Sequence, residues 1–161
     1  MTDTVSIRPM TKDDLDPLLE IVRGTGMFTQ AEEDVAFELM DIWLNRPEQK
    51  DYVIHVAEEN GEIAGYVCYG PTPATEFTFD LYWIVVDPAR QRRGIGKKLL
   101  SFAEKECGVR GGRLIIIETS STGKYAGTQE FYRRNGYEVE ARIKDFYAIG
   151  DDRLIFTRRF R

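Results

Sequence analysis

The sequence predicts a mixed α/β fold of the α+β kind, with helices flanking a central mixed sheet in the order β-α-α-β-β-β-α-β-α-β-β. Three observations carry this expectation. Apolar runs of strand character stand at 5–8, 52–57, 63–69, 77–86 and 113–119, and stretches between them space apolar residues at i, i+3, i+4, i+7, the period of a helix. Asn60-Gly61 separates two of the strands and is a two-residue hairpin signal. The strand ending at Val86 runs through Asp87-Pro88 into a basic, glycine-containing stretch that opens a helix. With 161 residues, 42% hydrophobic content and no low-complexity run, the chain has the length of one packed domain, 1–161, and is short for two.

Each element has a local reason. After the first strand, Asp13 or Asp14 can cap a helix whose apolar face is Leu15, Leu18, Leu19 and Val22, and Pro17 falls in its first turn, where a missing N–H costs least. Gly24-Thr25-Gly26 ends that helix. Thr29 and Glu32 have the spacing of a capping box for a second one, with Val35, Leu39, Ile42 and Trp43 expected on its buried face and Pro47 beyond its end. Strands 52–57 and 63–69 flank the hairpin signal, and Pro71 and Pro73 break the chain before 77–86. A helix over 94–107 turns Ile95, Leu99 and Ala103 inward, with Gly108 as its stop. Strand 113–119, a helix over 125–135 and two strands either side of Gly150-Asp151 complete the order.

Composition removes several function classes. The formal charge is -5, from 22 Lys+Arg against 27 Asp+Glu, which argues against the basic face of a general nucleic-acid binder. No run approaches the roughly 18 apolar residues of a membrane span, and Met1-Thr2-Asp3-Thr4 does not open a signal peptide, so a cytoplasmic location and no membrane partner are expected. Cys68 and Cys107 belong to no metal-ligand spacing and read as buried free thiols. His55 is the one histidine; in the alternating run 53–56 it reads as a solvated strand residue, and no metal is implied.

The stretch Gln91-Arg92-Arg93-Gly94-Ile95-Gly96 carries the most chemistry. A helix N-terminus has unpaired N–H groups and a partial positive charge, and glycines at 94 and 96 allow an anion to approach without meeting a Cβ. Arg92, Arg93, Lys97 and Lys98 place four cations where the helix dipole alone favours acids, which costs stability unless an anion is bound. A polyanion is expected there. A dinucleotide fingerprint needs glycine where Leu99 stands, and a P-loop needs Gly at 91 and Ser or Thr at 98, where Gln and Lys stand.

Strand, Asp-Pro turn, this Q/R-x-x-G-x-G/A stretch, helix, strand, then Phe131-Tyr132 and Asn135-Gly136-Tyr137 resemble the GNAT superfamily of N-acetyltransferases, over nearly the whole chain. The resemblance implies an acetyl-CoA co-substrate lying where two parallel strands splay apart. Backbone groups of Ile84, Val85 and Val86 would meet its pantetheine and thioester, and Gln91, Arg92, Arg93, Gly94, Ile95, Gly96 and Lys97 would wrap its pyrophosphate. Tyr132 aligns with the tyrosine that gives a proton to the leaving thiolate; a Phe-Tyr pair at helical spacing is otherwise core. With a phenol near pKa 10 and a thiol near 8.5, full transfer is uphill by roughly 2 kcal/mol, so a hydrogen bond to the developing thiolate supplies much of the benefit.

A lysine-like amine costs about 4.6 kcal/mol to deprotonate at pH 7, so a base is useful. Asp80 stands where relatives carry a base Glu; alternation puts it on one face with Tyr82, away from Phe79 and Trp83, and it also reads as an exposed acid at a strand's beginning. Glu118 is the rival base. Tyr125 replaces the family Asn at the start of the Tyr132 helix, and a surface aromatic is its default reading. The resemblance places acceptor specificity in 24–28 and 145–147. It implies direct attack of a primary amine, that of a small molecule as the first reading and of a protein or peptide as the second. A non-catalytic acyl-CoA-binding module is the reading from another class, and a homodimer stays open.

Overall fold

Alternate residues of the central strands divide between two apolar clusters, one on each face of a seven-stranded sheet. The computed structural model describes residues 4–161. Its elements are β1 Val5–Pro9, α1 Leu15–Gly24, α2 Gln30–Asn45, β2 Val53–Glu59, β3 Glu62–Pro71, β4 Thr78–Val86, α3 Ile95–Val109, β5 Leu114–Ser120, α4 Ala126–Arg134, β6 Glu138–Ala148 and β7 Asp151–Arg159. The sheet order is β1-β2-β3-β4-β5-β7-β6, antiparallel throughout except for β4 beside β5. This is the element order that the sequence predicts.

On β3, Tyr66 and Cys68 face α1 and α2 with Leu18, Val22 and Met40, while Val67 and Tyr69 face the other way, into the cluster that holds Leu99, Leu100 and Ala103 of α3 and Tyr132 of α4. A strand buried on both faces reads as a continuous apolar run, as β3 does. The β2–β3 hairpin turns on Asn60 and Gly61, with φ of 54° and 84°, and pairs Glu59 with Glu62. Two left-handed residues are what a two-residue primed turn requires. At α2, the Thr29 hydroxyl accepts from the Glu32 N–H at 3.2 Å while the Glu32 carboxylate accepts from the Thr29 N–H at 3.2 Å, the reciprocal capping box.

The structure corrects several local expectations. Before α1, the Asp14 carboxylate accepts from the Thr11 N–H at 2.8 Å, closing a capping box around a short 3-10 turn, Lys12–Asp14. Val35 is exposed, and Ala36 and Met40 join Leu39 on the buried side of α2, because the helix meets the sheet along a stripe rotated by one residue. α3 continues through Gly108 to Val109. His55 is buried rather than solvated: its ring stacks on Tyr69 and packs against Phe102 of α3, since β2 is an inner strand covered on that face by a helix. Cys68 and Cys107 are buried free thiols; burial pushes the Cys107 thiol up to about 12 and raises that of Cys68 further. Neither is a ready nucleophile.

Candidate active site

β4 and β5 are ladder partners for three residues only. Thr78, Phe79 and Asp80 pair with Leu114, Ile115 and Ile116, and beyond that point β4 runs on to Val86 and β5 to Ser120 without pairing to each other. The β4 backbone groups that point toward β5 over Ile84, Val85 and Val86 therefore lack the ladder partner that buried peptide groups require. One of the available acceptors is taken: the Val86 carbonyl accepts from the Gln91 side-chain amide at 3.3 Å.

A bulge lies in the same stretch. Cys68 pairs with Trp83 and Tyr69 with Leu81, which leaves Tyr82 as an extra residue in β4. Tyr82 and Trp83 consequently both pack toward α1 and α2, with Leu81 and Ile84 on the opposite face. Simple alternation sends Trp83 away from Asp80; the bulge turns it to the same face. Asp80, the last residue of the parallel ladder, is held by the Thr72 hydroxyl, which donates to its Oδ2 at 2.7 Å. Beside it the Tyr52 and Tyr82 rings lie 5.3 Å apart, and burial together with the Asp80 charge pushes the Tyr82 hydroxyl well above its ordinary range. Glu118, two residues past the Asp80 partner Ile116, shares that face of β5, but its carboxylate is paired with Arg153 of β7.

At the far end of β4, the Asp87 carboxylate caps a turn at Pro88–Arg90 by accepting from Ala89 N–H at 3.0 Å. Arg92 and Gly94 then take positive φ, 65° and 79°, and Gly94 is the N-cap of α3. A Cβ on Gly94 would meet nothing within 4 Å, so this side of the turn is open. Unlike α2, α3 has no side-chain cap and no acid in its first turn. Lys98 N–H bonds the Gly94 carbonyl at 3.1 Å, and the N–H groups of Ile95, Gly96 and Lys97 precede it without an intrahelical acceptor. Arg92, Lys97 and Lys98 are exposed around them. These residues fit a polyphosphate.

Two members of the motif serve other ends. The Arg93 guanidinium is bonded at 2.7 Å to Glu59, a buried carboxylate that also binds Arg90 at 2.9 Å, so its side chain is committed to the fold. Gly96 faces inward: a Cβ there would lie 3.5 Å from the Phe131 ring and 3.7 Å from Val86, which brings α3 close to α4 and the end of β4. Tyr132 is buried among Phe131, Tyr137 and Phe156, in the cluster that includes Leu81 of β4, Ile117 of β5 and Ile95 of α3. Burial raises its hydroxyl well above 10, with no hydrogen bond from the described residues contributing, so it is a protonated donor throughout the physiological range.

A family model for the acetyltransferase (GNAT) domain matches residues 50–139, which takes in the splayed strand, the α3 cradle and α4. The chain belongs to the GNAT family. A GNAT-family protein from Desulfovibrio desulfuricans superposes with a TM-score of 0.93 at 44% identity, covering 97% of this chain and 99% of that one. An uncharacterized N-acetyltransferase of Methanocaldococcus jannaschii is 30% identical over 154 residues, 91% of this chain and 66% of that protein. The S-(2-succino)cysteine N-acetyltransferase of Bacillus subtilis is 26% identical over 123 residues, 73% of this chain and 70% of that protein. The chain spans about two thirds of the length of the curated relatives it matches.

In this GNAT chain the loop between α1 and α2 reaches Tyr125. The Tyr125 hydroxyl donates to the Met27 carbonyl at 3.2 Å, and the residue is half-buried, which corrects the surface reading. Burial, then the charges of Glu32 and Asp151, push its hydroxyl up to about 12, and the same three causes raise that of Tyr147. Phe28 packs edge-on against Trp83, with ring centroids 4.9 Å apart. Thr72, Glu59 and the Phe28–Trp83 pair are contributions that sequence reasoning missed. Only Glu59 left a trace, an acid abutting the Asn60-Gly61 turn, and nothing local marks its burial.

Proposed function

We propose that this chain transfers an acetyl group from acetyl-CoA to the primary amine of a small molecule by direct attack. The observation that carries the reading is the parting of β4 from β5 after Asp80, with the uncapped, acid-free N-terminus of α3 standing at the far end of the same strand. Acetyl-CoA, when bound, supplies the thioester: the amine forms the new C–N bond as the C–S bond breaks. Arg92, Gly94, Lys97 and the first N–H groups of α3 hold its pyrophosphate. Asp80, steadied by Thr72, accepts the amine proton through a water, since an Asp is short for direct contact. Tyr132, kept protonated by burial, donates to the sulfur as charge develops on it.

Asp80 is preferred to Glu118 as base because Glu118 is occupied by Arg153. Direct attack is preferred to an acyl-enzyme because both cysteines are buried with raised thiols. The small-molecule reading draws support from the B. subtilis relative that acetylates S-(2-succino)cysteine. The test is CoA thiol release from acetyl-CoA with a pool of small amines and, separately, a peptide with a free N-terminus. Acceptor-dependent release with the amines is the expected result. Release with the peptide alone moves the acceptor class, and binding of acetyl-CoA without release under either condition leaves a non-catalytic acyl-CoA-binding module.

A further inference from the structure

The segment between α1 and α2 is fastened to both sides of the parted strands. Phe28 packs at 4.9 Å against Trp83, which the β4 bulge turns to this face, and the carbonyl of its neighbour Met27 accepts from Tyr125 at 3.2 Å, beyond the end of β5. Gly26, with φ of 64°, lets the chain turn into this position. Because β4 and β5 are unpaired here, two adjacent residues bridge the gap that the sheet leaves open on the α1/α2 face.

We propose that Tyr125 is a specificity-determining residue that straps the Gly26–Thr29 loop across the acceptor side, so that a slim primary amine entering end-on is accepted and a peptide lying across the cleft is excluded. The proposal rests on the acetyltransferase reading above and names the residue that sets its acceptor class. Tyr125 acts through the loop, as a positioning residue. Its hydroxyl is spent on Met27, on the acceptor side of the cleft.

The experiment compares the parent with Tyr125→Phe, and with Phe28→Ala as a second variant that loosens the opposite anchor. Amide hydrogen exchange at 26–29, read without substrate, should accelerate in both variants. With 2-phenylethylamine as the small amine, KM should rise about five-fold in Tyr125→Phe, the worth of one hydrogen bond, with KM rather than kcat carrying most of the loss. The ratio of kcat/KM for a hexapeptide with a free N-terminus to that for the amine should rise. Unchanged exchange at 26–29 overturns the strap. A loss of acetyl-CoA affinity by calorimetry with the acceptor ratio intact overturns it in favour of a cofactor contact. Turnover of the peptide but of no small amine in the parent overturns the acceptor assignment, and no turnover with either overturns the acetyltransferase reading with it, while the exchange rates still decide whether Tyr125 holds the loop.

Discussion

The buried carboxylate of Glu59 holds the guanidinium of Arg93 at 2.7 Å, tying the end of β2 to the turn that opens α3. Arg90 binds the same oxygen at 2.9 Å. One acid thus gathers two of the cations of this segment, and the turn around Gly94 is shaped by an ion pair 34 residues long in sequence. Glu59→Gln should destabilise the protein by about 1.5–3 kcal/mol, the range of a hydrogen bond to a charged group, and weaken acetyl-CoA binding. Denaturant midpoints and calorimetric titration measure the two effects. Unchanged acetyl-CoA affinity in Glu59→Gln would show that Glu59 does not shape the turn.

Asp80→Asn removes the proposed base while keeping an acceptor for the Thr72 hydroxyl. Activity should fall most at neutral pH and recover in part in alkaline buffer, where the amine is neutral without help. A pH–rate profile of kcat/KM for the acceptor reads this. A loss of equal size at every pH would make Asp80 a structural residue.

Tyr132→Phe deletes only a hydroxyl, and Phe fills nearly the same volume beside Phe131, Tyr137 and Phe156. A fall in kcat of roughly 10²–10⁴-fold is expected, with acetyl-CoA affinity nearly unchanged, because the bond strengthens as the thiolate develops. CoA release at saturating acetyl-CoA gives the number. A kcat within a few-fold of the parent, with chemistry rate-limiting, would make Tyr132 a packing residue.

His55 should make stability depend on pH. Burial lowers its pKa below 6.5, Glu106 opposing and Arg110 assisting, and the neutral ring can accept at Nδ1 from the Tyr69 hydroxyl 3.3 Å away. The unfolded chain then binds a proton more readily than the folded one. The contribution is fully present above the unfolded pKa and is lost as pH falls from 6.5 through the lower, folded value. Thermal midpoints should drop between pH 7 and pH 5 in the parent and less steeply in His55→Phe. Parallel curves would remove His55 from the account.

The sequence by itself determined the element order, the Asn60-Gly61 hairpin, the Thr29–Glu32 box and the glycine-marked N-terminus of α3. Each follows from φ/ψ preferences and hydrogen bonds that a few adjacent residues settle among themselves. The tertiary structure decided what depends on distant partners. The bulge at Tyr82 slips the face of Trp83 by one residue, and no period in the sequence records an insertion in one strand against its neighbour. His55 is buried because α3 lays Phe102 over an alternating strand that could equally have faced water. Arg93 is bound by Glu59, 34 residues before it, and Tyr125 is drawn from the surface to Met27, 98 residues away. Side-chain charge and shape are local properties, but which partner satisfies them is settled only when the chain brings remote segments within hydrogen-bond reach.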